Sequence, residues 1–353
     1  MYRTHSISNS IFNALKQQSV TEKTGLLDGL TGESLYYFYR NILFKDEHAY
    51  TTAVEKLETA VEMMHKNIGD TSFFSGIAGI GWMVLHLNEQ EIVDIDIDDF
   101  LDSSIDLFLY TTMMEYLHRH IYDFFFGASG ICFYFFKKYQ SVQDVKQKEM
   151  FKTYIMQYLF YMEFIKKTDT EGIFWTHREY PFEKENSCFE LSSLSNVSSI
   201  ILLLTEIATE KEFAPFCFSL IKRASYRLLH LLETTQKHRL DQGYCLWKAS
   251  VLLCDAELEK KAFYYLRLAK KHIPTTDIVS QAKCAMIYQK IANTTCDNLH
   301  KKEALQCITD FSVGELAQNM YDSSIWKGYA GLGLIDFSLH HTASNEWSKC
   351  MLI

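Results

Sequence analysis

Eleven of the chain's 15 glycines crowd into four short windows, at residues 25–32, 76–81, 127–130 and 328–333. Each window contains G-x-[AST]-G, as in Gly127-Ala128-Ser129-Gly130, and each runs straight into an apolar stretch. A glycine inside a helix costs about 1 kcal/mol relative to alanine, so a helical chain keeps such residues only where backbones must approach closely. The windows therefore predict loops that lead into the first turns of helices. Helices are expected throughout, because there are only 3 prolines among 353 residues. Residues 50–66 and 151–166 also repeat apolar side chains at i, i+3, i+4 and i+7.

Three weaker copies of the window fit at residues 195–199, 247–250 and 286–289, which makes seven units. Their last small positions are Gly32, Gly79, Gly130, Ser199, Ser250, Gln289 and Gly331, a spacing that suits two helices plus loops per unit. Converging glycine turns favour a closed ring over an open solenoid. The expected architecture is all-α, an (α/α)7 toroid of seven helical hairpins, built as one domain over residues 1–353. The longest step holds residues 168–191, with Gly172, Trp175 and Pro181, and reads as an inserted loop near the face where the turns gather.

A formal charge of −9 without a Lys/Arg stripe sets nucleic acid aside. No signal peptide is visible at the start. The nine cysteines are scattered and odd in number, which suits reduced thiols in the cytoplasm. The most membrane-like window, residues 121–136, contains Asp123 and falls short of the roughly 20 residues a transmembrane helix needs.

The segment Tyr122-Asp123-Phe124-Phe125-Phe126-Gly127-Ala128-Ser129-Gly130-Ile131 resembles the Y-D-hydrophobic-x-x-G-x-[AS]-G-I motif of the lanthionine synthetase C-like family. Together with the sevenfold spacing, this likeness runs over nearly the whole chain. Tyr244-Cys245-Leu246-Trp247 falls where that family has W-C-Y-G, and Cys284-Ala285-Met286 where it has C-H-G. The resemblance implies a toroid that closes thioether rings in a ribosomally made peptide. In such a reaction a peptide cysteine adds to a dehydroalanine or dehydrobutyrine left by an earlier dehydratase. It also implies Zn2+ held by Cys, Cys and His, which lowers the thiol pKa, and an acid that protonates the enolate. Carried over residue by residue, the metal positions are Cys245, Cys284 and Ala285, and the functional aspartate is Asp123.

Three positions depart from the family pattern. Ala285 cannot ligate, Leu246 replaces a tyrosine, and Ser195 stands at the active-site histidine. Cys188 and Cys254 are conceivable substitute ligands. Two readings stay open: an active cyclase using Asp123, Cys245 and Cys284, and a non-catalytic relative that binds the dehydrated precursor peptide or serves as a scaffold.

The remaining chemistry-bearing residues have simpler readings. Asp123 by itself could cap the following helix. The acidic run 94–102 imitates a calcium loop but has Asp99 where glycine is needed and Ile105 where glutamate is needed, so it reads as the acidic start of an outer helix. His118 with His120, and His340 with His341, lack the i, i+4 spacing of a metal pair. A toroidal glycosidase would need two facing carboxylates, and only Asp123 and the weaker Asp28 stand in such turns.

Overall fold

A computed structural model describes every residue except 1, 19–20, 67–68, 95–100, 177–196, 235–238, 275, 297, 310–321 and 342–343. Within these residues the chain alternates two kinds of helix, told apart by how they bury their side chains. In α2 (Leu30–Phe44) every residue from Leu30 to Arg40 is buried, and α4 (Ile77–Glu89), α6 (Ala128–Ser141), α8 (Val197–Ile207) and α14 (Tyr329–His340) are buried along most of their length. In α3 (Glu47–Lys66) burial is confined to Ala49, Ala53, Leu57, Ala60 and Met64, one stripe at helical spacing. The first kind lines the inside of a ring and the second wraps it.

The inner set is completed by α10 (Leu240–Leu253) and α12 (Ile278–Thr295), and the outer set by α5 (Ser103–His118), α7 (Val145–Ile165), α9 (Ala214–Thr234), α11 (Ala256–Lys271) and α13 (Asn298–Thr309). Helix α1 (Tyr2–Gln17) packs against α14, so the seventh hairpin takes one helix from each end of the sequence. Inner helices contact their neighbours from α12 through α14, α2, α4, α6 and α8 to α10. The expected all-α toroid of seven hairpins is what forms. Only the α10/α12 seam lacks comparable packing among the described residues.

The helix starts correct the register of two units. Ser199 lies in α8, whose approach before Val197 is outside the described residues. Helix α10 begins at Leu240 and α12 at Ile278, so Ser250 and Gln289 lie more than two turns inside helices. The physical reason is that side chains cap these helices where other units use glycine. The Gln242 side chain accepts from Arg239 N at 3.2 Å, and Asp277 Oδ1 accepts from Ser280 N at 3.0 Å.

The segment expected as an inserted loop begins as a hairpin, β1 (Lys167–Asp169) with β2 (Gly172–Phe174), antiparallel with Thr168 opposite Ile173. It is tied to the ring by Arg227 Nε to Asp169 Oδ2 at 2.7 Å and Trp175 Nε1 to the Met162 carbonyl at 2.9 Å. Residues 177–191 of that segment, with Cys188, lie outside the described residues, as does Ser195. From the acidic run, Asp102 caps α5 as anticipated, accepting from Ser104 N and Ile105 N, and residues 95–100 lie outside the described residues.

Candidate functional site

Four turns share one backbone design. In each, the first helical N–H donates to a carbonyl seven residues back: Leu30 to Lys23, Ile77 to Asp70, Ala128 to Ile121 and Tyr329 to Asp322, all at 2.9–3.0 Å. The third helical residue must be glycine, because a Cβ on Gly130 would stand 2.1 Å from the Phe124 carbonyl oxygen and 2.5 Å from Phe73 Cβ of the neighbouring turn. Such closeness lets the turns link to one another. Phe74 N donates to Phe125 O, Leu27 N to Phe74 O, and Trp326 N to Leu27 O, each at 3.0 Å. The linked residues stand two positions before their N-cap glycines, so equivalent points of four turns join head to tail. Their rings meet at the centre of the face, with Phe125 and Trp326 centroids 4.9 Å apart and Phe74 within 6.0 Å of both.

Asp123 belongs to this framework but does not cap α6, whose N-cap is Gly127. It stands four residues before that glycine, and its Oδ1 accepts from Phe126 N at 2.7 Å. At the same place in two sister turns a hydroxyl does this work: Ser72 Oγ accepts from Ser75 N at 3.1 Å, and Ser324 Oγ from Lys327 N at 3.3 Å. A serine therefore suffices to hold the turn. Asp123 is only 6% exposed, and burial pushes its carboxyl up to about 6, even though three backbone N–H groups pull the other way. A carboxyl there costs more than holding the turn requires, which makes Asp123 a candidate site residue.

A cavity of about 720 Å3 opens beside this centre, at the loosely packed seam between α10 and α12. Trp326 and Lys327 form one wall, Asp241 and Tyr244 of α10 another, and Lys283 of α12 a third, while Met351 and Leu352, at the end of the 3-10 helix Glu346–Met351 and just past it, contribute to the floor. Lys283 Nζ lies over the Trp326 ring, 3.7 Å from its centroid, and burial together with Lys327 pushes it down to about 8. Asp241 Oδ1 accepts from Arg239 Nε at 3.2 Å, but its buried Oδ2 has no hydrogen-bond partner, and burial raises this carboxyl. The cavity can thus hold a mid-sized polar group between a cation, a carboxyl and aromatic rings. Motif reading missed Lys283 and Asp241. Trp326 and Lys327 were visible only as the residues leading into Gly328.

Residues 20–189 match the sequence pattern of the lanthionine synthetase C-like proteins. That match takes in just under half of the chain. The fold agrees over the whole length: a solved structure of nisin cyclase superposes with a TM-score of 0.65 at 14% identity, covering 99% of this chain and 96% of that one. None of the curated proteins matches the sequence.

The zinc that this family implies was tested against the donor set. Cys245 is the sixth residue of α10 and Cys284 the seventh of α12, so both lie inside helices and neither lines the cavity. Burial raises the Cys245 thiol, with Asp241 acting in the same direction. Cys284 faces the outer helix, its Sγ 3.7 Å from that of Cys307, and is likewise raised, first by that contact and then by burial. Among the described residues no three His, Cys, Asp or Glu side chains gather where they could hold a metal ion. A catalytic zinc takes three protein ligands and works on thiolates, so these residues do not fit one. Cys254 is exposed on the αL residue that ends α10, and Ala285 is buried. His118 Nδ1 bonds the Met114 carbonyl, and His340 Nδ1 lies 2.9 Å from Asp336 Oδ1.

Proposed function

We propose that the chain forms thioether rings in a ribosomally made peptide, adding a peptide cysteine across the double bond of a dehydroalanine or dehydrobutyrine. The carrying observation is Asp123, a buried carboxylate where serine serves twice elsewhere, in the turn that bears the family motif. The fold shared with a protein named a cyclase supports the same reading. The net reaction joins S–H across C=C, with no leaving group and no change of oxidation state overall.

In this reading the peptide lies over Phe74, Phe125 and Trp326, and the reacting groups enter the adjoining cavity. Asp123 orients the peptide by accepting its N–H groups, and the aromatic floor excludes water. The substrate is a dehydrated precursor, so a dehydratase acts first. We place the reaction in the cytoplasm, on the support of eight free thiols among the described residues. No helix among those residues is long and apolar enough to cross a membrane.

The test uses a synthetic peptide carrying one dehydroalanine and one cysteine several residues apart. Cyclisation removes the thiol that reacts with iodoacetamide while leaving the peptide mass unchanged. The wild type is expected to convert it, and Asp123→Ser to fold normally and lose conversion. A wild type that binds the peptide yet never converts it, with or without added zinc, would overturn catalysis and leave a peptide-binding subunit.

A further inference from the structure

We propose that Lys283 is the catalytic cation of this cavity, its ammonium meeting the negative charge that develops on the substrate carbonyl oxygen, while the free oxygen of Asp241 carries the proton. This rests on the thioether reading above and says how the reaction runs with the residues present.

The assignment follows from which charges are already occupied. Of the cations on the cavity wall, Arg239 is engaged by Asp241 Oδ1, and Lys327 has interactions of its own. Lys283 has no ion pair among the described residues; its Nζ lies over the Trp326 ring, and Asp277 and Asp241 attract it from a distance. The carboxylates divide similarly. Asp277 Oδ1 caps α12 through Ser280 N, and Asp322 Oδ1 accepts from Ser324 N at 2.8 Å, so both have structural work. Asp241 Oδ2 is buried without a partner. A buried polar atom left unpaired normally costs about 1–3 kcal/mol, so its retention beside a cavity points to a group that arrives with the substrate. Lys283 on α12 and Asp241 on α10 both line the cavity at the seam where inner-helix packing is weakest among the described residues.

The step balances without an external reagent. The S–H proton passes to Asp241 Oδ2, and the sulfur forms a bond to the β-carbon. The C=C electron pair moves through the α-carbon onto the carbonyl oxygen, where Lys283 stabilises the enolate. Collapse of the enolate draws the proton from Asp241 to the α-carbon, so the thiol and the double bond become C–S and C–H, and both side chains return to their starting states. Preorganised charge at a developing oxyanion acts most strongly where water is excluded.

The synthetic dehydroalanine/cysteine peptide serves as the probe, with the full chain dialysed against a chelator. Lys283→Met is expected to lower kcat by about 100-fold, the scale set by removal of one oxyanion donor, and to leave KM nearly unchanged. Lys283→Arg, which restores the charge, is expected to recover most of the rate, and Asp241→Asn to lose it. If Lys283→Met does not fold, Lys283→Gln replaces it. Equal rates for wild type and the uncharged variant would overturn the assignment while leaving the function standing. So would a wild-type rate that vanishes on chelation and returns with zinc. A wild type inactive on the peptide under every condition would overturn the function and the assignment with it.

Discussion

Two halves of the ring end their helices differently. From α14 through α2 and α4 to α6, glycine turns lock together by backbone hydrogen bonds, and three aromatic rings seal the centre. At α10 and α12 the paired-glycine turns are gone, side chains cap the helices, the seam between them loosens and a cavity opens. The glycine half fixes geometry, since backbone-to-backbone links leave little room for rearrangement. The other half supplies side chains. Asp123 is the exception: a buried carboxyl set into the rigid half, in a turn whose sisters use a hydroxyl.

The contrast can be broken most severely at Gly130. Gly130→Ala drives a Cβ into the Phe124 carbonyl and the Phe73 side chain, and a loss of about 3 kcal/mol in urea unfolding is expected. A variant within 0.5 kcal/mol (about one measurement error) would mean that the turns are not rigidly coupled. The next largest effect is at Asp123. Because its folded pKa, about 6, lies above the ordinary 3.8, the fold favours the protonated form. Stability from this group is fully present below pH 3.8 and is lost as pH rises through about 6. Asp123→Ser should therefore exceed the wild type by up to about 3 kcal/mol above pH 7, with the gap closing below pH 4 (roughly the free carboxyl's pKa). A pH-independent gap would remove the electrostatic cost on which the argument for function stands. The smallest change belongs to the side-chain-capped half: Asp277→Ala should cost about 1 kcal/mol, and a cost as large as that of Gly130→Ala would erase the distinction between the halves.

The glycine half was legible because a close backbone approach admits one residue type, so the requirement is written directly in the sequence. Four windows sufficed to expect the toroid. The other half was legible only as helices. A cap can be built from Gln242 or Asp277 as readily as from glycine, so small residues several turns later stood in for the missing turns. Cys245 and Cys284 came from their likeness to two short family segments. That alignment was sequential. Each thiol's surroundings depend on which outer helix its inner helix faces, as the Cys284–Cys307 contact shows. Asp123 was found because its motif lies in an intact turn. Lys283 was invisible because its meaning comes from Trp326, 43 positions away in sequence and 3.7 Å away in space.

Closure of the ring across the two ends of the sequence also sets an order of assembly. The seventh hairpin pairs α14 with α1, bound by Ser8 Oγ to Asp336 Oδ2 at 2.5 Å across 328 positions, and Trp326 N reaches back to Leu27 O. Hairpins within one unit need only local contacts and can form as the chain emerges from the ribosome, whereas a contact of that separation carries the full entropic cost of loop closure. Helix α1 is made before α2–α13 and waits for α14, which follows them, and until then the ring is an open crescent with its aromatic centre exposed to water. The interval between synthesis of α1 and arrival of α14 is therefore when this chain most needs a chaperone.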